Sequence, residues 1–243
     1  MSKSMGNVVD PDRLIDEYGA DTARLFSLFA SPPERDLEWS DQGVEGSFRF
    51  LARVWRLVRD NLDMLKGGAG ETAGGASNAA RELRRATHKT IKKVTEDIED
   101  RFHFNTAIAA VMELVNAAYQ HEAKRDDPGS ASAFREAVEA IILLLSPFAP
   151  HIASELWEAT GKETSILRTP WPLYDPALIK AEEMTVVVQV NGRLRDRVTA
   201  PADASEEDIK AKALGLEKVA QFTGGRTPRK VIYVPGKLVN IVV

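Results

Sequence analysis

Thr185-Val-Val-Val-Gln-Val-Asn-Gly-Arg-Leu-Arg-Asp-Arg-Val-Thr199 is where the chain changes character. Before it, apolar residues recur at helical spacing. Here β-branched residues run together, and Asn191-Gly192 separates two such runs. A type I′ turn needs positive φ at both central residues, which Asn and Gly tolerate, so the spacing predicts a hairpin joining residues 185–190 to 193–199. Ser205 with Asp208 three positions on reads as a capped helix start. A second short helix covers residues 216–222 and ends at Gly224-Gly225. Residues 229–234 and 238–243 read as strands around Pro235-Gly236-Lys237. The predicted order is ββααββ, a small α+β module over residues 184–243.

Working back towards the start, the pattern is helical throughout. Asp10-Pro11 reads as a cap followed by proline at the first helical position, and Gly19 ends that helix. A second helix covers 21–30 and stops at Ser31-Pro32-Pro33. Residues 36–40 read as an extended crossing. A single long helix is then expected from about 40 to 65, with Leu51, Trp55, Val58, Leu62 and Leu65 as its buried stripe. Glycine and alanine dominate 66–78, which reads as a loop. The next helix runs to about 101 with Thr87, Ile91, Val94 and Ile98 inward, and another covers 104–119. Asp126-Asp127-Pro128-Gly129 reads as a turn, and 131–145 is apolar nearly all round, as a central helix would be. A short helix over 151–159 closes the set. The expected fold class is mainly α: a helical bundle followed by a small α+β domain. The expected divisions are 1–35 (loop and connecting helices), 36–161 (bundle), 162–183 (proline-rich linker) and 184–243 (α+β tail).

The 243 residues, 44% hydrophobic and 28% charged, suffice for one large or two modest cores. Net charge is −4, but residues 184–243 carry ten basic against six acidic residues, +4, which leaves −8 on residues 1–183. A basic module behind an acidic body points to a polyanion, and a well-mixed solvated surface gives the same arithmetic. There is no cysteine, hence no disulfide, thiolate nucleophile or Cys-ligated zinc. His88, His103, His121 and His151 are scattered without metal-like spacing, so no metal is expected. No signal peptide is visible, and the longest apolar run, 140–145, is too short to span a bilayer. A soluble, cytoplasmic protein without a membrane partner is the expectation.

Three features carry possible chemistry. Ser2-Lys3-Ser4, with Gly6 following, offers an ammonium and hydroxyl donors suited to phosphate, although four common residues at a chain start do not make a site. Arg81, Arg85, Lys89 and Lys92, spaced 4, 4, 3, share one helix face, with Arg84 and His88 adjoining and acids at the far end. That order opposes the helix dipole, which suggests RNA backbone contact, or else pairing with acids of a neighbouring helix. In the tail, Arg193, Arg195 and Arg197 alternate and are expected to project together from one strand face, with Arg226, Arg229, Lys230 and Lys237 joining from the other hairpin.

Met1-Ser-Lys-Ser-Met-Gly-Asn-Val-Val-Asp-Pro11 resembles the KMSKS signature loop of class I aminoacyl-tRNA synthetases without its first lysine. The resemblance continues through Tyr18-Gly-Ala-Asp-Thr-Ala-Arg24 and Ser31-Pro-Pro33. Phe104-Asn-Thr-Ala-Ile-Ala109, the 187–192 segment and Tyr233-Val-Pro235 are similar to the bacterial leucyl members specifically. Isoleucyl relatives commonly end in a cysteine-ligated zinc module and valyl relatives in a coiled coil. This chain has neither cysteine nor terminal heptads. The resemblance covers essentially the whole chain and implies the C-terminal part of a monomeric ligase. That ligase would join leucine to its tRNA through an adenylate, with ATP as substrate and Mg2+ accompanying it, neither expected to be bound by this part alone. It implies that Lys3 stabilises the adenylation transition state, that Ser2 and Ser4 help bind ATP, and that the bundle and tail hold the tRNA. The tail is expected on the outer corner of the tRNA, reading shape rather than the anticodon. The nucleotide-binding, HIGH and editing elements lie upstream in that family, so the chain alone is expected to be inactive. A free-standing RNA-binding or scaffold protein, and a helical interaction module with no RNA role, remain the alternatives. Salt-dependent tRNA binding separates the last from the others.

Overall fold

The computed structural model describes residues 11–32, 34–35, 39–66, 77–100, 102–122, 128–179, 183–201, 204–224, 226 and 228–243. The Asp10 cap, most of the 36–40 crossing, the 67–76 loop and Asp126-Asp127 lie outside them. The chain divides into two compact units, Met1–Ile179 and Lys180–Val243.

The first unit is helical: α1 (Pro11–Tyr18), α2 (Ala20–Phe29), α3 (Asp41–Arg59), α4 (Leu62–Lys66), α5 (Asn78–Glu99), α6 (Phe104–Glu122), α7 (Pro128–Leu145), α8 (Pro150–Ala159) and α9 (Pro176–Ile179). Helices α5, α6 and α7 pack on one another around Val94, Ile108, Val111, Val115, Ile141 and Leu144, all without solvent exposure. The apolar surface they remove from water is the main source of stability in this unit. Ser40 and Ser77 cap α3 and α5 by accepting from Gly43 N and Ala80 N. The expected single helix over 40–65 is two helices. At the break, Asn61 turns its Nδ2 back onto Leu57 O at 2.7 Å, and its own N–H bonds Val58 O. The local side-chain bond competes with helix continuation there. The buried stripe of α3 is centred on Val54 and Leu57, with Trp55 only partly covered. Helix α7 starts at Pro128 rather than after a Pro-Gly turn, because a first-turn proline forfeits no helical hydrogen bond.

Two buried carboxylates that the sequence pattern leaves among surface acids tie helices together. Asp21, on α2, accepts from His151 N (3.3 Å) and Ile152 N (2.7 Å), so it caps α8 from across the bundle. Asp97, fully buried, accepts from Lys93 Nζ at 2.5 Å and from Thr106 Oγ1 at 2.6 Å, which fixes the α5–α6 corner. At that corner Phe102 takes φ 50° with its ring largely exposed.

Residues 162–179 run as a strap along α5. Trp157 Nε1 donates to Thr164 O (2.9 Å), Trp171 Nε1 to Thr95 Oγ1 (2.8 Å), and Asp175 N to His88 Nδ1 (2.9 Å).

The second unit has β1 (Glu183–Val190), β2 (Arg193–Pro201), α10 (Glu206–Leu214), α11 (Glu217–Thr223), β3 (Lys230–Val234) and β4 (Leu238–Val242), in the ββααββ order expected. Asn191 and Gly192 both have positive φ, 50° and 76°, as the hairpin requires, and Ser205 accepts from Asp208 N at 3.1 Å. The sheet order is β2-β1-β4-β3, with β1 and β4 parallel and the outer pairs antiparallel. Val186, Val188, Val190, Val198, Val239 and Ile241 form the core with Ile209, Ala213 and Val219 of the helices. Both helices therefore cover one sheet face. The other face, bearing Val187, Arg197, Lys230, Ile232, Val234 and Leu238, has no helix of this unit on it.

Candidate nucleic-acid interface

Ser2, Lys3 and Ser4 lie outside the described residues. Among the described residues, no group of three or more His, Cys, Asp or Glu is placed to hold a metal ion. Among the described residues, no helix is long and apolar enough to cross a membrane.

The basic face of α5 resolves into two parts. Arg84 and His88 are held by helix α7: Arg84 Nε reaches Glu136 Oε2 at 3.0 Å and its Nη2 donates to Ser132 Oγ, while His88 Nε2 meets Glu136 Oε1 at 2.8 Å. The Asp175 N–H on Nδ1 leaves the proton of the neutral ring on Nε2, so the imidazole donates to Glu136. These two side chains locate the strap and α7. The outward part is Arg81, Arg85, Lys89 and Lys92. Arg81 is exposed and bonds Asn78 Oδ1 at 3.5 Å. Lys92 lies 3.7 Å from Glu96 and 5.8 Å from the ring centroid of Tyr174, on the strap. The strap reaches α5 at His88, Lys92 and Thr95, so the outward cations outside those contacts are Arg81, Arg85 and Lys89, of which Arg85 and Lys89 have no ion pair to a described residue.

In the tail, the structure corrects the expectation that Arg193, Arg195 and Arg197 share a face. Val188 pairs with Asp196, but Gln189 pairs with Leu194 and Val190 with Arg193. Arg195 is thus the extra residue of a β-bulge, and a bulge reverses the alternation on its far side. Directly opposed residues share a face. Arg193, opposite buried Val190, lies on the helix-covered side, whereas Arg197, opposite Val187, lies on the open side. Arg195 turns to the helix side as well, with its Cζ 3.7 Å from the centroid of the Phe222 ring on α11. Its Nε is buried without a hydrogen-bond partner. Asp196, also on the helix side, meets Lys218 of α11 at 3.6 Å. Of the other tail cations, Lys230 faces the open side opposite Val242; Arg226, Arg229 and Lys237 are exposed in the connections. The strand cations are therefore split between the faces: Arg193 and Arg195 lie on the helix side with Lys218 of α11, Arg195 resting on Phe222, while Arg197 and Lys230 lie on the open side amid aliphatic side chains.

Phe222 and Lys218 are not legible as site residues in the sequence. Both sit on a seven-residue helix, and only the register slip brings Arg195 over the ring.

The sequence profile of the anticodon-binding domain of tRNA ligase matches residues 80–211, just over half of the chain, and runs from α5 into the second unit. The profile of class I tRNA synthetases (I, L, M and V) matches residues 1–40. A leucine–tRNA ligase of Geotalea uraniireducens is 57% identical over 243 residues, all of this chain and 29% of the relative. One from Syntrophobacter fumaroxidans is 59% identical over 245 residues, again all of this chain and 30% of the relative. The chain thus spans under a third of the length of these relatives. Among solved structures, the Agrobacterium radiobacter LeuRS–tRNA–LeuAMS ternary complex superposes with a TM-score of 0.85 at 36% identity, covering 100% of this chain and 31% of that one. A Mycobacterium tuberculosis methionyl-tRNA synthetase shares the fold over 70% of this chain and 41% of its own, with a TM-score of 0.52 at 20% identity. The chain belongs to the family of anticodon-binding domains of tRNA ligases and matches the C-terminal part of bacterial leucyl-tRNA synthetases.

Proposed function

We propose that this chain is the tRNA-holding part of a leucine–tRNA ligase, and that it grips the RNA with two separate cationic surfaces. One is the outward edge of α5 at Arg85 and Lys89; the other is the helix-side corner of the tail at Arg193, Arg195 and Lys218. The observation that carries this is the tail corner: a bulge redirects an arginine into a cationic group, beside a partly exposed aromatic ring. Positive side chains grouped this way release counterions from a phosphate backbone, and Arg is suited to phosphate by its planar fork. The ligase names of the relatives and the tRNA in the Agrobacterium complex support the same partner.

In the whole ligase, leucine would be activated with ATP and Mg2+ and passed to the tRNA, with Lys3 at the adenylation step as the signature loop implies. The chain's own described residues bind and orient; none of them supplies a step of that chemistry. A soluble, cytosolic monomer fits this role, and the chain alone is expected to show no leucine-dependent pyrophosphate exchange.

The test is tRNA binding to the full chain across 50–200 mM salt, comparing wild type with the Arg193→Glu/Arg195→Glu and Arg85→Glu/Lys89→Glu variants. Each pair should weaken binding and flatten the dependence on salt, by about one in log–log slope for each phosphate that is no longer neutralised. Affinity that neither falls with salt nor changes in either variant removes the assignment.

A further inference from the structure

Phe222 and Arg195 present an arrangement that phosphate binding alone leaves unexplained. Phe222 is 48% exposed, on a helix whose buried residues are Val219 and Thr223, so packing does not require an aromatic there. Arg195 occupies the bulge and lays its guanidinium over that ring, 3.7 Å from the centroid. Its Nε is buried and unpartnered, a cost that a merely structural arginine would avoid by turning to solvent or an acceptor. The adjacent carboxylate, Asp196, is engaged by Lys218 instead. Arg193 faces the same side by register, and Lys218 lies one helical turn before Phe222.

We infer that Phe222 and Arg195 form a nucleobase-stacking site, resting on the tRNA-binding reading above, that takes one base of the RNA lacking a stacking neighbour. The chemistry is specific to a planar π surface. A phosphate needs charge and donors, which a lysine supplies as well. A base needs a flat, polarisable partner, and the aromatic ring with the guanidinium held over it offers one. Arg193 and Lys218 lie on the same side to meet the phosphates that flank the base. The cationic surroundings, Arg195 over the ring with Arg193 and Lys218 on the same side, favour RNA over an apolar protein partner. Of the exposed aliphatic residues of this unit, Leu194, Ile232 and Val234 lie on the opposite face of the sheet, and Leu214 stands at the end of α10.

The test uses the full chain and an unmodified leucine-acceptor tRNA transcript, with Kd measured at several salt concentrations. Phe222→Leu keeps an apolar side chain and leaves the charge unchanged. It should weaken binding about tenfold at every salt concentration, within the range expected when one aromatic is taken from beneath a base, with the salt slope unaltered. Arg195→Lys, which keeps the charge and removes the plane, should weaken binding several-fold with the same slope. Phe222→Trp should bind as well as wild type or better. Thermal melts check that each variant is folded, as the exposure of Phe222 leads one to expect. Wild-type binding that depends on salt, with Phe222→Leu within twofold of it, overturns the stacking site and leaves the tRNA reading intact. Wild-type affinity indifferent to salt overturns both.

Discussion

Arg193 and Arg197 are four residues apart on one strand and carry the same charge, yet the bulge at Arg195 places them on opposite faces of the sheet. Replacing either with glutamate changes the net charge by the same two units. If RNA meets the helix-side corner, Arg193→Glu removes a direct phosphate partner, while Arg197→Glu acts only through solvent. At 0.15 M salt the screening length is about 8 Å, comparable with the thickness of a sheet and its side chains, so the second effect is largely damped. Each phosphate left without its cation lowers the log–log salt slope by about 0.9 on a duplex. Between 50 and 200 mM that slope amounts to about a 3.5-fold change in affinity per phosphate. Arg193→Glu is therefore expected to bind tRNA about tenfold more weakly at 50 mM, a gap narrowing to about threefold at 200 mM as the slope flattens. Arg197→Glu should stay within about twofold at both salts, with the wild-type slope. Fluorescence anisotropy with end-labelled tRNA reads both quantities. Equal losses of affinity for the two variants, or a larger one for Arg197→Glu, would refute the placement of the RNA on the helix side. An unbroken β2 would put both arginines on one face and make equal effects the natural result.

Asp21→Ala removes the carboxylate that accepts from His151 N and Ile152 N, so it should cost about 1–2 kcal/mol and lower the melting midpoint by about 3–6 °C. Asp21→Asn, which keeps one acceptor, should cost less; a midpoint unchanged in Asp21→Ala would show that α8 is not capped from α2. Phe102→Gly should raise stability by about 0.5–1 kcal/mol, because glycine adopts the positive φ at that corner without the Cβ penalty. Denaturant unfolding checks this, and a destabilised variant would mean that the ring contributes more than the backbone costs.

The helices and the ββααββ order are legible in the chain because their signals are local. Proline at position 11, the Ser77 and Ser205 caps, and Asn191-Gly192 act on backbone groups a few residues away. Apolar periodicity marks which face each helix buries. The break at Asn61 escapes that pattern since a single side-chain bond to Leu57 O outweighs an unbroken apolar stripe. Pro128 reads as a turn residue because a Pro-Gly pair serves equally well in a turn and at the start of a helix.

The site follows other rules. Sequence alone picks out the basic residues of α5 and of β2, and alternation fixes their faces only on the assumption of a regular strand. The bulge has no signature in Arg193-Leu-Arg-Asp-Arg197. It arises where β1, paired on its other edge in parallel with β4, sets a register that β2 must meet with one residue to spare. Likewise nothing near Glu136 announces that it takes up Arg84 and His88 from the basic face, and nothing near Asp21 that it caps a helix 130 residues later. Hydrogen bonds and charge pairs are short-range in space but indifferent to distance along the chain. The sequence by itself thus determined which elements form and which residues are cationic. Packing alone decided which cations are taken up internally, which way the remaining ones point, and that Arg195 comes to rest on Phe222.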